Sequence, residues 1–123
     1  MNRTAIKFLR SCRNVALLAL SPLDYLSRLL NHKTDLPPLH LRRYVGPLKS
    51  FESSGNEFMG YLRTLARLQP DERVLDVGCG CGQMALQLKD YLNDRGRYVG
   101  LDIHGSSIRW CQKKIRNPNF EFA

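Results

Sequence analysis

The sequence predicts an α/β fold built on a parallel sheet and preceded by a helical arm, and three observations carry that prediction. An apolar run that contains an acid near its end, Val74-Leu75-Asp76-Val77, has the composition of a buried parallel strand. Gly78, Gly80 and Gly82 then turn the chain at alternate positions, and a stretch with its apolar residues on one face follows. Further on, Tyr98-Val99-Gly100-Leu101-Asp102-Ile103 is a second strand that ends at an acid. Strand, glycine turn and helix together aim backbone N–H groups at whatever lies above the strand end, which suits a nucleotide-type ligand.

Size and charge narrow the function classes. The chain has 123 residues and 43% apolar content, enough for about one small domain. Its net charge of +8 is uneven: residues 1–50 hold nine Lys/Arg against two acids, and residues 51–123 hold ten against nine. The basic character belongs to the first part, and no nucleic-acid-binding motif accompanies it. The expected organisation is therefore a basic helical arm and proline-containing linker over 1–50, then a ligand-binding domain over 51–123. Among the cysteines, Cys79 and Cys81 are one residue apart, which is neither a redox nor a zinc-knuckle spacing. They read as small residues beside a tight backbone, with no metal expected. Free thiols point to a reducing, cytoplasmic setting, with an organellar address as the alternative for a eukaryotic source.

The arm opens with a helix over residues 4–20. Ala5, Phe8, Leu9, Cys12, Val15, Ala16, Ala19 and Leu20 share one arc, and Arg3, Lys7, Arg10 and Arg13 share the opposite one. Two readings follow: a helix that packs on its own domain, which is the one adopted, or a basic amphipathic helix on an anionic membrane surface. Ser21-Pro22 opens a second helix to Leu30, and Pro37-Pro38 forces an extended path. A helix is expected from Glu57 to Leu68, capped by Ser54 or Asn56. After the glycine turn, Met84, Ala85, Leu88, Tyr91 and Leu92 form the sheet-facing side of a helix over Gln83–Leu92. His104-Gly-Ser-Ser107 opens another, with Ser106 or Ser107 as cap and Ile108, Cys111 and Ile115 inward. His104 reads as a loop residue and Trp110 as packing. Phe120-Glu-Phe-Ala123 begins a third strand.

The glycine spacing separates two cofactor classes. A dinucleotide fingerprint needs a glycine where this chain has Gln83, and an acid at Asp76 suits a cationic ligand better than a pyrophosphate. The stretch Val74-Leu-Asp-Val-Gly-Cys-Gly-Cys-Gly82 resembles motif I of the class I S-adenosylmethionine-dependent methyltransferases, and Val99-Gly-Leu-Asp-Ile103 is similar to their second-strand motif. The resemblance covers roughly Phe51 to Ala123. It implies a Rossmann-like three-layer parallel sheet with S-adenosylmethionine across the strand ends. Asp76 would then hold the methionine ammonium, and the backbone at Gly78, Cys79 and Gly80 would pass beneath the cofactor. Gly82 completes the turn, the next helix N-terminus would favour the carboxylate, and Asp102 would bind the ribose hydroxyls with Ile103 against the adenine. An NAD-dependent oxidoreductase is disfavoured by Gln83 and Asp76.

The resemblance also implies seven strands, so the sheet is expected to be incomplete, with the first three strands only. The first strand would then be an open edge that invites self-association. No catalytic residue and no methyl acceptor is legible, and a non-catalytic remnant or partner subunit is the alternative to an enzyme.

Overall fold

Apolar periodicity of 3.6 residues governs the first part of the chain and period-two runs govern the second. The computed structural model, which describes residues 3–46 and 48–123, follows that division. Helices α1 (Arg3–Ala19), α2 (Ser21–Leu30) and the short α3 (Leu39–Arg42) lead to a 3-10 turn at Leu48–Ser50 and to α4 (Phe51–Thr64). Then come β1 (Arg73–Val77), α5 (Gln83–Leu88), β2 (Arg97–Leu101), α6 (Gly105–Lys114) and β3 (Phe120–Phe122). The chain forms two compact units, Met1–His40 and Leu41–Ala123.

In the second unit the strands lie in the order β1-β2-β3, all parallel. Arg73 pairs with Arg97, Val77 with Leu101, and Gly100 with Phe122. Right-handed crossovers put α5 and α6 on the same face of such a sheet. That face carries the core: Tyr98, Leu88, Ala85 and Cys111 are fully buried, and Ile108, Ile115, Phe120 and Phe122 are buried beside them. The Tyr98 ring stacks on Phe120 at 4.9 Å between centroids, and its hydroxyl donates to Asp76 Oδ2 at 2.6 Å. Met84, Tyr91, Leu92 and Trp110 pack against the same cluster, although α5 itself stops at Leu88.

Two expectations need correction. The first strand was expected to be buried, but Leu75 is 64% and Val77 77% exposed. Only alternate residues, Val74 and Asp76, are half-buried, because the described helices of this unit cover one face of the sheet alone. The helix before β1 starts at Phe51, not Glu57, and ends at Thr64, so Ser54 and Asn56 lie inside it instead of capping it. Gly55 marks a close approach. A Cβ there would stand 3.3 Å from the Gln83 carbonyl oxygen, and Gln83 Nε2 donates to Phe51 O at 2.7 Å. Helix α4 is thus fastened to the start of α5.

The first unit has an unusual distribution of polarity. Asp24 is buried and pairs with Arg28 Nε at 3.1 Å, while Arg28 also donates to Leu36 O at 2.7 Å and Leu39 N–H donates to Asp24. The leucines of α2 point the other way: Leu23, Leu26 and Leu30 are exposed. In α1, Leu9, Cys12, Val15, Ala16 and Ala19, the arc expected to pack inward, are exposed as well. No described helix is long and apolar enough to cross a membrane.

Truncating Leu88 to alanine should therefore destabilise the chain by about 2–5 kcal/mol, because its removal leaves a cavity between α5 and the sheet. Leu65→Ala, at a position 78% exposed, should shift stability by less than about 0.5 kcal/mol. Urea denaturation of both variants checks the pair.

Candidate functional site

The site is built where β1 and β2 end. Beyond Val77 the chain keeps its ladder for one more step, since Gly78 N–H and Cys79 N–H both donate to Leu101 O, at 2.7 and 3.0 Å. It then turns through Gly78 (φ +87°) and Gly80 (φ +55°), backbone conformations that side-chain-bearing residues rarely adopt. The two glycines serve different ends. A Cβ on Gly78 would meet nothing within 4 Å, so the backbone there borders open space. A Cβ on Gly80 would come within 2.7 Å of Val45 Cγ2, so the Val45 side chain can lie against the loop only because that atom is missing.

Asp102 ties the two strand ends together. Its Oδ2 accepts from Gly80 N–H and its Oδ1 from His104 N–H, each at 2.7 Å. One carboxylate thus fixes the glycine loop after β1 and the entry to α6 after β2. Each oxygen keeps acceptor capacity for a further donor. Asp76, held by the buried Tyr98 hydroxyl, projects at the neighbouring strand end. Burial first, and then the Asp76 hydrogen bond, raise the Tyr98 pKa, so the phenol stays protonated and donates.

A cleft of about 790 Å³ opens above these ends. It is lined by Asp76, Gly78, Gly80, Asp102 and Ile103 from the sequence-derived set, and Ile103 is fully exposed. The other two members lie behind the loop. Cys79 is 4% exposed, and Gly82 is buried against Ile115 and Cys111 at the start of α5. The cleft also recruits Tyr44, Val45, Phe58, Gln83, Met84 and His104. His104, expected to be an ordinary loop residue, packs its ring against Tyr44 with centroids 4.1 Å apart, and its Nδ1 hydrogen-bonds Ser107 Oγ at 2.7 Å. Neither Ser106 nor Ser107 caps α6: both lie inside it, and His104, the residue before it, makes no side-chain cap bond. The Arg43 guanidinium lies over the Tyr44 ring at 4.3 Å. No periodicity pointed to this aromatic contact, because Tyr44 sits in a turn 60 residues from His104 in sequence order.

Three thiols gather beneath the loop. Cys79 and Cys111 both direct their sulfurs at the Gly80 carbonyl, each at 3.8 Å, and Cys81 is fully buried. Burial, with the Asp76 and Asp102 charges behind it, pushes the Cys79 thiol up to about 12. Burial likewise pushes Cys81 up to about 12 and raises Cys111. These are protonated packing groups, unsuited to nucleophilic work. No group of metal-ligating side chains occurs among the described residues.

Comparison with known proteins places this geometry. A family model for a methyltransferase domain matches residues 68–123. A solved S-adenosylmethionine-dependent methyltransferase from Aquifex aeolicus superposes with a TM-score of 0.51 at 18% identity, covering 70% of this chain and 45% of that one. The chain has the class I methyltransferase fold. Over 48 residues (39% of the chain) it is 40% identical to the ubiquinone/menaquinone biosynthesis C-methyltransferase of Wigglesworthia glossinidia brevipalpis, covering 19% of that protein. A probable cobalt-precorrin-6B C(15)-methyltransferase (decarboxylating) of Thermoplasma acidophilum is 33% identical over 51 residues, 42% of this chain and 25% of that protein. The chain thus spans a quarter or less of the length of these two curated relatives.

The thiol environments give two expectations. Among the free cysteines, Cys12 is exposed and the other three are buried, so a disulfide reagent at about pH 8 should titrate one thiol in the native chain and four after denaturation. Unfolded thiols ionise at about pH 9, whereas Cys79 and Cys81 stay protonated up to about 12 when folded. The unfolded state therefore releases protons first, and stability should be intact below about pH 9 and fall as pH rises from about 9 to 12. Urea midpoints measured across that range check the sign.

Proposed function

We propose that this chain binds S-adenosylmethionine in the cleft above β1 and β2 and serves transfer of the cofactor's methyl group to an acceptor. The observation that carries the proposal is the pair of carboxylates, Asp76 and Asp102, at adjacent strand ends on either side of open backbone at Gly78. A cleft of about 790 Å³ is within the range usual for cofactor sites, about 300–1,000 Å³. The residues fit the group. Asp76 presents negative charge where the ammonium of the methionine moiety would lie. Gly78 leaves room for a ligand against the main chain, a space that a side chain would fill. Asp102 offers its remaining lone pairs to two vicinal hydroxyls, already oriented by the Gly80 and His104 N–H groups. Ile103, fully exposed, offers an apolar surface for the adenine.

When bound, the cofactor supplies an electrophilic methyl group on a sulfonium. The chain's own contribution is to hold the donor in one orientation, so that an acceptor atom meets the methyl carbon in line, an effect of proximity. Tyr44, Phe58 and Met84 line the same cleft and supply apolar surface beside the donor. A cytoplasmic setting belongs to this proposal, supported by four cysteines in the free form.

Calorimetry on the full chain tests it. S-adenosylhomocysteine should bind and NAD should not; binding of NAD alone, or of neither, overturns the proposal. Asp102→Asn should weaken S-adenosylhomocysteine by about 10- to 100-fold, the cost of about 1.5–3 kcal/mol for a charged hydrogen-bond acceptor. Asp76→Asn should weaken S-adenosylhomocysteine by a comparable factor.

A further inference from the structure

We propose that the first unit, Met1–His40, docks on an anionic lipid bilayer through the outward faces of α1 and α2. This inference stands on the first unit alone and does not depend on the cofactor assignment. The polarity of that unit is inverted relative to an ordinary water-soluble helix pair. Its polar network is inside: buried Asp24, its ion-pair partner Arg28, and the backbone groups of Leu36 and Leu39. Many of its described large apolar side chains are outside: Leu9, Val15, Leu18 and Leu20, then Leu23, Leu26 and Leu30, are between 46% and 71% exposed. The half-buried positions of α1, Ile6, Asn14 and Leu17, fall on the arc shared with the cations, so the packed side of the helix is not its apolar side. Burying an apolar side chain of this size is worth about 1.5–3 kcal/mol, so a row of exposed leucines calls for a covering surface.

Charge decides what that surface is. Helix α1 contains no acidic residue, and Lys7, Arg10 and Arg13 are exposed. At helical spacing Lys7 borders the apolar arc beside Leu18, and Arg13 borders it beside Leu9 and Leu20. Cations at the margins of an apolar stripe match the interface of an anionic bilayer, where the stripe enters the acyl boundary and the long basic side chains reach the headgroups. The one acid of α2, Asp24, is buried against Arg28 and adds no repulsion at the surface. Tyr25, 59% exposed, has the amphipathic ring that favours the same interface. A second copy of the chain fits less well, because it would bring a second set of the same cations.

Co-sedimentation of the full chain with phosphatidylcholine vesicles, with and without phosphatidylglycerol, tests the proposal. The chain should partition onto anionic vesicles at least tenfold better than onto neutral ones. Raising the salt should release it, a measurement that needs no substitution. A Lys7→Gln, Arg10→Gln, Arg13→Gln variant should lose about a hundredfold in partition, from about 1 kcal/mol per cation near the surface. A Leu23→Ser, Leu26→Ser variant should also leave the vesicles, with far-UV circular dichroism confirming retained helix. Equal partition on both vesicle types, or partition untouched by salt, overturns the proposal. So does a lipid-free dimer whose formation requires Leu23 and Leu26.

Discussion

The double hydrogen bond accepted by Asp102 is the constraint on which the candidate site depends. Gly80 N–H and His104 N–H belong to loops that follow different strands, and one carboxylate holds both. A charged acceptor makes each of these bonds stronger than a neutral one, and the partly buried setting limits competition from water. With the loops fixed, Gly78 faces the cleft, Val45 lies on Gly80, and the His104 ring reaches Tyr44. Tyr98 makes the matching connection one step further in, tying Asp76 to the core through its hydroxyl while its ring stacks on Phe120. Both acids are therefore set by hydrogen bonds that originate in the fold itself.

The thiol cluster explains why the loop can be so tightly drawn. Cys79, Cys81 and Cys111 occupy little volume, and two of them approach the Gly80 carbonyl from beneath. Sulfur beside a buried carbonyl fills space that a larger side chain would distort, and burial keeps each proton in place. The cysteines of the motif thus serve the loop from behind while the glycines serve it from the front. Helix α4 completes the support, since Gly55 lets its backbone approach Gln83 closely.

Burial is distributed by opposite rules in the two units. In the second, one face of the sheet packs against helices and the other leaves Leu75 and Val77 exposed. In the first, the polar groups satisfy one another inside and the leucines remain outside. Local sequence cannot distinguish these arrangements, because an amphipathic pattern shows that a helix has two faces without saying which one turns inward.

Local pattern was enough to order the strands and helices of the second unit and to put acids at its strand ends. An apolar run, alternate glycines and a terminal acid have few other uses, so Asp76, Gly78, Gly80, Asp102 and Ile103 were legible as a group that meets at one cleft. Packing between distant segments set the rest. It moved Cys79 and Gly82 behind the loop, began α4 at Phe51, and brought Tyr44 and Val45 to the cleft from far upstream. The reason is physical. Motifs are fixed by backbone conformation over a few residues, whereas burial and long-range ring contacts are set by packing between segments that carry no local mark of each other.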